Sequence, residues 1–174
     1  SGLSHQSGAV HMTLFDNLDE GGIELLSHGG SAVLHRSALE PARADELFRL
    51  LTSEIPWQRQ TIRMFGREVL QPRLIAWMGD PGRNYRYSGN VHEPIAWTAP
   101  VLELRDLSEK HAGVAYNSVL LNLYRDGSDG IAWHSDDEPE LGPHPTIASV
   151  SLGAERRFDL RHKATGETIK AFLP

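Results

Sequence analysis

The stretch NSVLLNLYRDGSDGIAWHSDDEPELG, residues 117–142, contains three features in direct succession. They are a mostly apolar run, a glycine-rich turn, and a histidine followed by acidic residues. In an extended strand, side chains at positions i and i+2 point to the same side, so His134 and Asp136 are expected to converge. An imidazole and a carboxylate are two of the three protein ligands in the facial triad that binds Fe(II). The alternative is a polar cluster at a strand end, since a His-x-Asp pair alone is a weak signal.

Two polar residues interrupt the apolar run before the turn. Asn122 and Tyr124 share one parity, opposite to that of the leucines beside them. Buried amide and phenol groups need hydrogen-bond partners, so the two residues either cap the end of a sheet or hold a small polar cosubstrate beside a metal. A calcium loop does not fit, because taking Gly130 as its fixed glycine puts Arg125 and Gly127 at ligand positions.

The composition fits one globular domain of 174 residues, 40% hydrophobic and 23% charged, with no cysteine. Without thiolates, a metal must be held by His, Asp or Glu side chains. No apolar run of membrane-spanning length and no secretory signal are found, so a cytoplasmic location, or a nuclear one in a eukaryote, is expected. Residues 1–12 are predicted to be a disordered tail or a cloning remnant, and residues 13–174 a single domain.

Positive charge is concentrated in one segment, although the net charge of the chain is −6. Between positions 59 and 86, six arginines accompany only two acids, Glu68 and Asp80. The arginines are Arg59, Arg63, Arg67, Arg73, Arg83 and Arg86. A solvated basic face and a surface that follows nucleic-acid phosphates explain this distribution about equally well.

The periodicity predicts two helices and a series of short strands. Residues 41–53 read as an amphipathic helix with a proline in its first turn, and residues 100–113 as a second helix ended by a glycine. Residues 60–80 predict a hairpin with a Phe-Gly pair at its tip, and the alternation in TIASVSLG, residues 146–153, predicts a strand. Together these elements indicate an α+β fold with a β-sandwich or jelly-roll core.

The succession Asn-x-Tyr, His-x-Asp-x-Glu and Ile-Ala-Ser-x-Ser-x-Gly within residues 122–153 closely resembles the AlkB-type dioxygenases, and the likeness extends over roughly residues 30–174. The resemblance implies a double-stranded β-helix (jelly roll) with N-terminal helices and a nucleotide-recognition lid. Residues 13–98 would form the extension and lid, and residues 99–174 the first part of the core. It also implies oxidative dealkylation of N-alkylated nucleobases, a direct-reversal DNA repair activity with base flipping that uses Fe(II), 2-oxoglutarate and O₂.

The resemblance assigns roles to individual residues. His134 and Asp136 match two iron ligands and are the catalytic pair, and Asn122 and Tyr124 match residues that hydrogen-bond 2-oxoglutarate. The residues implied on the nucleic-acid side are Met64 and Phe65 as an apolar wedge, Tyr85, Tyr87 and Ser88 in the lid, Glu138 and Asp137 near the base edge, and Arg73 and Arg161. Two alternatives stay open for Asp137, whose side chain would face either the substrate or solvent.

The third iron ligand and the arginine that pairs with 2-oxoglutarate have no match in this chain. The family places both after the position of IKAFLP, residues 169–174, so the chain is expected to be truncated relative to the family. His144, in a proline-rich loop, and His162, in LRHK, are not taken as the third ligand.

The implied partner is nucleic acid, DNA in preference to RNA and duplexes included, bound by a monomer without membrane association. Two alternatives stay open. One is an AlkB-like module that binds nucleic acid without turnover, and the other is a related dioxygenase that acts on protein or a small metabolite.

Overall fold

A computed structural model describes residues 21–64, 67–87, 90–136 and 141–173, and of residues 62–64, 85–87 and 90–92 it describes the backbone. Within these ranges the chain forms two helices and small antiparallel sheets, an α+β arrangement, as the sequence predicts. Within the described ranges, no helix is long and apolar enough to cross a membrane.

The described residues form two compact units. The first unit consists of the described parts of Ser1–Arg43 and Ala154–Pro174, and the second is Ala44–Gly153. The second unit holds nearly all of the first helix, the second helix, the largest sheet and the segment with His134 and Asp136, so it positions the candidate site.

The first predicted helix is present as α1, Pro41–Glu54. It begins at a proline, whose fixed φ suits the first helical turn, and its apolar stripe buries Leu47 and Leu51. Ile55 directly after the helix is also buried, and Trp57 donates its indole N–H to the Leu51 carbonyl at 3.1 Å. The chain therefore leaves the helix against the same core that the helix packs on.

The second predicted helix is present as α2, Ala99–Ala112, and it buries Val101 and Leu104. It ends at Gly113, which has a left-handed φ of 69° and donates its N–H to the Glu109 carbonyl at 2.8 Å. A residue with a β-carbon is strained at such a φ, so glycine is the expected residue after this helix.

The largest sheet has the order β3-β4-β7 and is antiparallel. Its strands are β3 (Gln58–Met64), β4 (Arg67–Gly79) and β7 (Ser118–Leu123). β4 pairs with β3 along its first part and with β7 along its second part, so only Leu74 and Ile75 have strand partners on both sides. The predicted hairpin is confirmed by the β3–β4 ladder, and its tip at residues 65–66 lies outside the described residues.

A turn at residues 80–83 connects this sheet to a short hairpin of β5 (Tyr85–Tyr87) and β6 (Asn90–His92). Two indoles hold that turn: Trp77 donates its N–H to the Arg83 carbonyl at 2.8 Å, and Trp97 donates to Asp80 Oδ1 at 2.8 Å. The Arg105 guanidinium lies 5.1 Å from the centre of the Trp97 ring. The base of the β5–β6 hairpin is therefore fixed by side chains of its own unit.

The first unit contains two small antiparallel ribbons. These are β1 (Ile23–Glu24) with β2 (Val33–Leu34), and β8 (Arg156–Arg161) with β9 (Thr168–Leu173). The loop between β1 and β2 is organised by the Glu24 carboxylate, which accepts backbone N–H bonds from Leu26 at 3.0 Å and Ala32 at 2.8 Å. The hydroxyl of Ser31 also donates to Glu24 and holds the pKa of that carboxyl below its usual value.

Two strand predictions are wrong. Residues 131–136, expected to be extended in a ladder, lie outside any strand, and so do residues 146–153. In both segments hydrophobic side chains such as Trp133, Ile147 and Val150 are exposed. Alternation of side chains is necessary for a half-buried strand, but a strand also needs a partner to satisfy its backbone, and neither segment has one among the described residues.

Candidate metal centre

The turn that follows β7 is organised by a buried carboxylate. Asp129 has a side chain that is only 3% exposed, and it binds Arg125 through both oxygens. Asp129 Oδ2 accepts the Arg125 backbone N–H at 2.9 Å and its Nε–H at 2.7 Å, and Oδ1 accepts a terminal guanidinium N–H at 2.8 Å. These bonds raise the pKa of Arg125 further above its ordinary value. A bidentate arginine–carboxylate pair of this kind is geometrically specific.

The turn is joined to the sheet at the next residue. Gly130 donates its N–H to the carbonyl of Pro72 in β4 at 2.9 Å. Within the turn, Asp126 accepts both the backbone N–H and the hydroxyl of Ser128, and the hydroxyl bond is the main reason why the pKa of Asp126 lies below its usual value. The chain that leaves the turn therefore starts from a fixed point beside β4.

The structure brings His134 and Asp136 together. His134 Nε2 lies 3.5 Å from Asp136 Oδ1, and each side chain is 49% exposed. The other ring nitrogen, Nδ1, lies 2.9 Å from the Ala132 carbonyl. Because a carbonyl only accepts, Nδ1 donates to Ala132 in this arrangement, and Nε2 is the ring nitrogen that faces the aspartate.

This geometry fits a shared metal ion. Two adjacent ligands that bind one ion at about 2.1 Å and at right angles are about 3 Å apart, and both side chains are exposed enough to close that gap by small rotations. A histidine whose second nitrogen is bonded to a carbonyl is the usual state of a metal-ligating imidazole. Among the described residues, no group of three or more His, Asp or Glu side chains is arranged to hold a metal, so His134 and Asp136 are candidates for two ligands of such a site.

The predicted cosubstrate residues lie at the end of β7 that leads into the turn. Asn122 is paired with Ile75 of β4 and is exposed, whereas Tyr124, just beyond the strand, is half-buried. Arg73 of β4 is half-buried, and its Nε is enclosed without a hydrogen-bond partner among the described residues. Residues 131–136, which carry His134 and Asp136, are called the metal segment. Since Gly130 is bonded to the residue before Arg73, this end of the β4–β7 ladder and the start of the metal segment are neighbours.

The other predicted residues are only partly described. Met64 is the last residue of β3, and Tyr85 and Tyr87 are the first and last residues of β5. For all three the structure describes the backbone. Arg161 ends β8 in the first unit and is exposed. The predictions for Phe65, Ser88, Asp137 and Glu138 lie outside the described residues. Of the clustered arginines, Arg59, Arg67 and Arg83 are exposed.

The two histidines that were not taken as ligands lie elsewhere. His144 is exposed and has a left-handed φ of 56°. His162 belongs to the first unit, where its Nδ1 accepts the backbone N–H of Thr165 at 3.1 Å and its ring centre lies 5.7 Å from that of His28. The bond to Thr165 closes the turn between β8 and β9, which is a structural role.

Sequence reasoning overlooked the Arg125–Asp129 pair. The turn RDGSDG reads as solvated because it is rich in Asp and Gly, yet of its two aspartates one is exposed and the other is buried. The available signal was the i, i+4 spacing of an arginine and an aspartate across a turn, which is too common to predict burial.

Comparison with known proteins identifies the family to which this chain belongs. The model of the 2OG-Fe(II) oxygenase superfamily matches residues 31–174. The chain therefore belongs to that superfamily.

Within it, the predicted resemblance to the AlkB-type dioxygenases is confirmed. The chain is 40% identical over 147 residues to alpha-ketoglutarate-dependent dioxygenase alkB homolog 3 of Homo sapiens, covering 83% of this chain and 51% of that protein. It is 40% identical over 147 residues to DNA oxidative demethylase ALKBH2 of Arabidopsis thaliana (82% and 47%), and 44% identical over 126 residues to the Homo sapiens protein of the same name (70% and 48%). The chain spans about half the length of these relatives.

Proposed function

We propose that this chain carries the iron- and cosubstrate-binding part of an enzyme that removes alkyl groups from the nitrogens of nucleobases in DNA, using Fe(II), 2-oxoglutarate and O₂. The observation that carries the proposal is the approach of His134 Nε2 to Asp136 Oδ1, 3.5 Å apart, shortly after the strand that bears Asn122. Both lie inside the range that matches the superfamily, and two of the relatives named above are called DNA oxidative demethylases.

Each residue near this centre has a task in the proposed reaction. His134 offers the Nε2 lone pair, and the Ala132 carbonyl holds its ring in the required tautomer. The Asp136 carboxylate supplies the second ligand and part of the charge that compensates a divalent cation. The amide of Asn122 and the hydroxyl of Tyr124 are hydrogen-bond donors suited to the carboxylates of 2-oxoglutarate.

When bound, iron would supply the oxidative chemistry, in which one atom of O₂ would enter succinate, formed together with CO₂ from 2-oxoglutarate, and the other would hydroxylate the N-alkyl carbon. The C–N bond would then break as the hydroxylated carbon becomes the carbonyl carbon of an aldehyde, and the hydroxyl proton would pass to the nitrogen or to solvent. The protein contributes orientation of the two substrates and exclusion of water from the reacting carbon.

The nucleic-acid side of the proposal rests on the β3–β4 hairpin and the β5–β6 hairpin. A base in a duplex must leave the stack to reach a metal centre, which costs a few kcal/mol, and an apolar wedge at Met64 and Phe65 offsets part of that cost. Tyr85 and Tyr87 are proposed to contact the extruded base, with Ser88 beside them in the lid. Glu138 and Asp137 are proposed near the base edge, Arg161 at the substrate pocket, and Arg73 and the exposed arginines near the phosphates.

Further parts of the proposal concern the whole protein. The superfamily match runs through both compact units, which supports one jelly-roll dioxygenase domain over residues 13–174 in which residues 13–98 contribute the extension and lid. We also propose that the protein acts as a monomer, on DNA in preference to RNA, in the cytoplasm or, in a eukaryote, the nucleus.

A turnover screen tests the proposed function. The full-length protein is incubated with Fe(II), 2-oxoglutarate and oligonucleotides that carry methyl or etheno bases, with unalkylated oligonucleotides as controls. We expect succinate and aldehyde in equal amounts, formed only with alkylated bases. Tight binding of these oligonucleotides without succinate would instead indicate a binding module, and succinate formation only with peptides or metabolites would indicate another substrate class.

The wedge makes a separate prediction. Replacing Phe65 with alanine is expected to lower turnover on duplex substrates by about tenfold, because roughly one to two kcal/mol of the unstacking cost is no longer offset. Turnover on single-stranded substrates, which need no wedge, should change less than twofold. Leu70→Ala on the same hairpin, which truncates a side chain that is 53% exposed, is the matched control. Equal losses on single and double strands would contradict the wedge.

A further inference from the structure

Asp129 is unusual within the described part of the chain. It and Gln71 are the only polar residues there that are buried, at 5% and 7% exposure. Its partner Arg125 is exposed, with 36% of its side chain accessible to solvent, and an ion pair that water screens on one side is a weak source of stability. The Arg125–Asp129 pair is therefore better explained by the backbone geometry that it fixes than by the free energy of unfolding.

That geometry leads directly to the metal segment. The Asp129 carboxylate holds both the backbone and the side chain of Arg125, so it closes the loop between the end of β7 and residue 129. The next residue, Gly130, is bonded to β4 through Pro72 at 2.9 Å. Four residues later comes His134, so the anchor and the first ligand are separated by one short extended span of at most about 14 Å.

Secondary structure does not fix the span. Residues 131–136 are all exposed and belong to no strand among the described residues. The fixed start of the span therefore helps to set where the ligand pair lies, and metal sites lose affinity when supporting residues around the ligands are changed.

We propose that Asp129 is a positioning residue of the candidate metal centre, which places His134 and Asp136 by clamping the turn that precedes them. The inference rests on the proposed function in so far as these two residues are the ligands. It assigns to Asp129 an action through the backbone, without contact to the metal or to a substrate.

The test compares Asp129→Asn with Asp126→Asn, the same change at the exposed aspartate of the same turn, in the full-length protein. Mn(II) binding is titrated by electron paramagnetic resonance, and amide hydrogen exchange is measured for residues 131–136 without metal. For Asp129→Asn we expect Mn(II) to bind about tenfold more weakly and residues 131–136 to exchange faster. For Asp126→Asn we expect both quantities within twofold of the wild type.

A second variant covers the case in which Asp129→Asn fails to fold. Arg125→Met combined with Asp129→Leu removes both charges together, so that neither is left without its partner, and it also removes the carboxylate that holds the Arg125 backbone. We expect the same loss of Mn(II) affinity and the same faster exchange in this folded variant.

Three outcomes are decisive. Unchanged Mn(II) affinity and unchanged exchange in a folded variant would overturn the positioning role, even if the variant unfolds at a lower temperature. If the wild type binds no Mn(II), the proposed function fails, and the exchange of residues 131–136 alone decides whether Asp129 positions this span. If the wild type binds Mn(II) and both aspartate variants weaken it equally, the effect is one of charge and the positioning role is again overturned.

Discussion

Replacing His134 with alanine is expected to lower succinate formation by at least about a thousandfold, equivalent to about 4 kcal/mol of activation free energy. The reason is that in the proposed metal centre the described residues supply two ligands, and this change leaves the Asp136 carboxylate as the only one of them. A lone carboxylate does not hold Fe(II) against water at micromolar concentrations of the ion. The measurement is the initial rate of succinate formation with an alkylated oligonucleotide at saturating 2-oxoglutarate.

The control for this change is His144→Asn, at an exposed histidine ten positions along the chain. Asparagine tolerates the left-handed φ of 56° at this position, so the control removes an imidazole without straining the backbone. We expect its turnover to stay within twofold of the wild type. A His134→Ala enzyme that kept a tenth of its activity, or a His144→Asn enzyme that lost most of it, would contradict the assignment of the ligand.

Replacing Met78 with alanine is expected to lower the free energy of unfolding by about 2–5 kcal/mol, because it removes buried methylene groups and leaves a cavity. Met78 is fully buried in β4, where it pairs with Val119 of β7 and forms a bridge to Ile95. The measurement is the urea midpoint of unfolding, compared at unchanged slope.

The control for the core is Val69→Ala on the same strand, where the side chain is 41% exposed. Its expected effect is below about 1 kcal/mol, since much of that side chain is already in water. A loss below about 1 kcal/mol for Met78→Ala, or equal losses for the two variants, would show that the β4 core does not govern the stability of the second unit.

The elements with strong local signals were predictable from the sequence. α1 and α2 combine an apolar stripe with a proline at the start, and α2 has a glycine after its end, so residues within a few positions of one another determine them. The β3–β4 hairpin has the same character, because its register depends on alternation around one tip. The approach of His134 and Asp136 was also predicted, although the reason given for it, a shared strand, was wrong.

What could not be predicted depends on contacts between distant residues. The alternation in residues 146–153 says which side chains share a face, but no local pattern reveals whether another strand pairs with them. In the same way, the metal segment is anchored by the hydrogen bond from Gly130 to Pro72, and the sequence around neither residue predicts that bond. The burial of Asp129 is likewise a property of the folded chain and not of its local sequence pattern.

The staggered pairing of β4 has a consequence for motion. Among the residues that the structure describes, 61–64 and 67–70 pair only with each other, whereas Ala76–Gly79 of β4 pair with β7. A two-stranded ribbon is marginally stable by itself, so this arm opens at a lower free energy than the sheet behind it. The arm can therefore bend while the ladder that holds Asn122 keeps its shape, so that motion of the hairpin need not displace the residues beside the candidate metal centre.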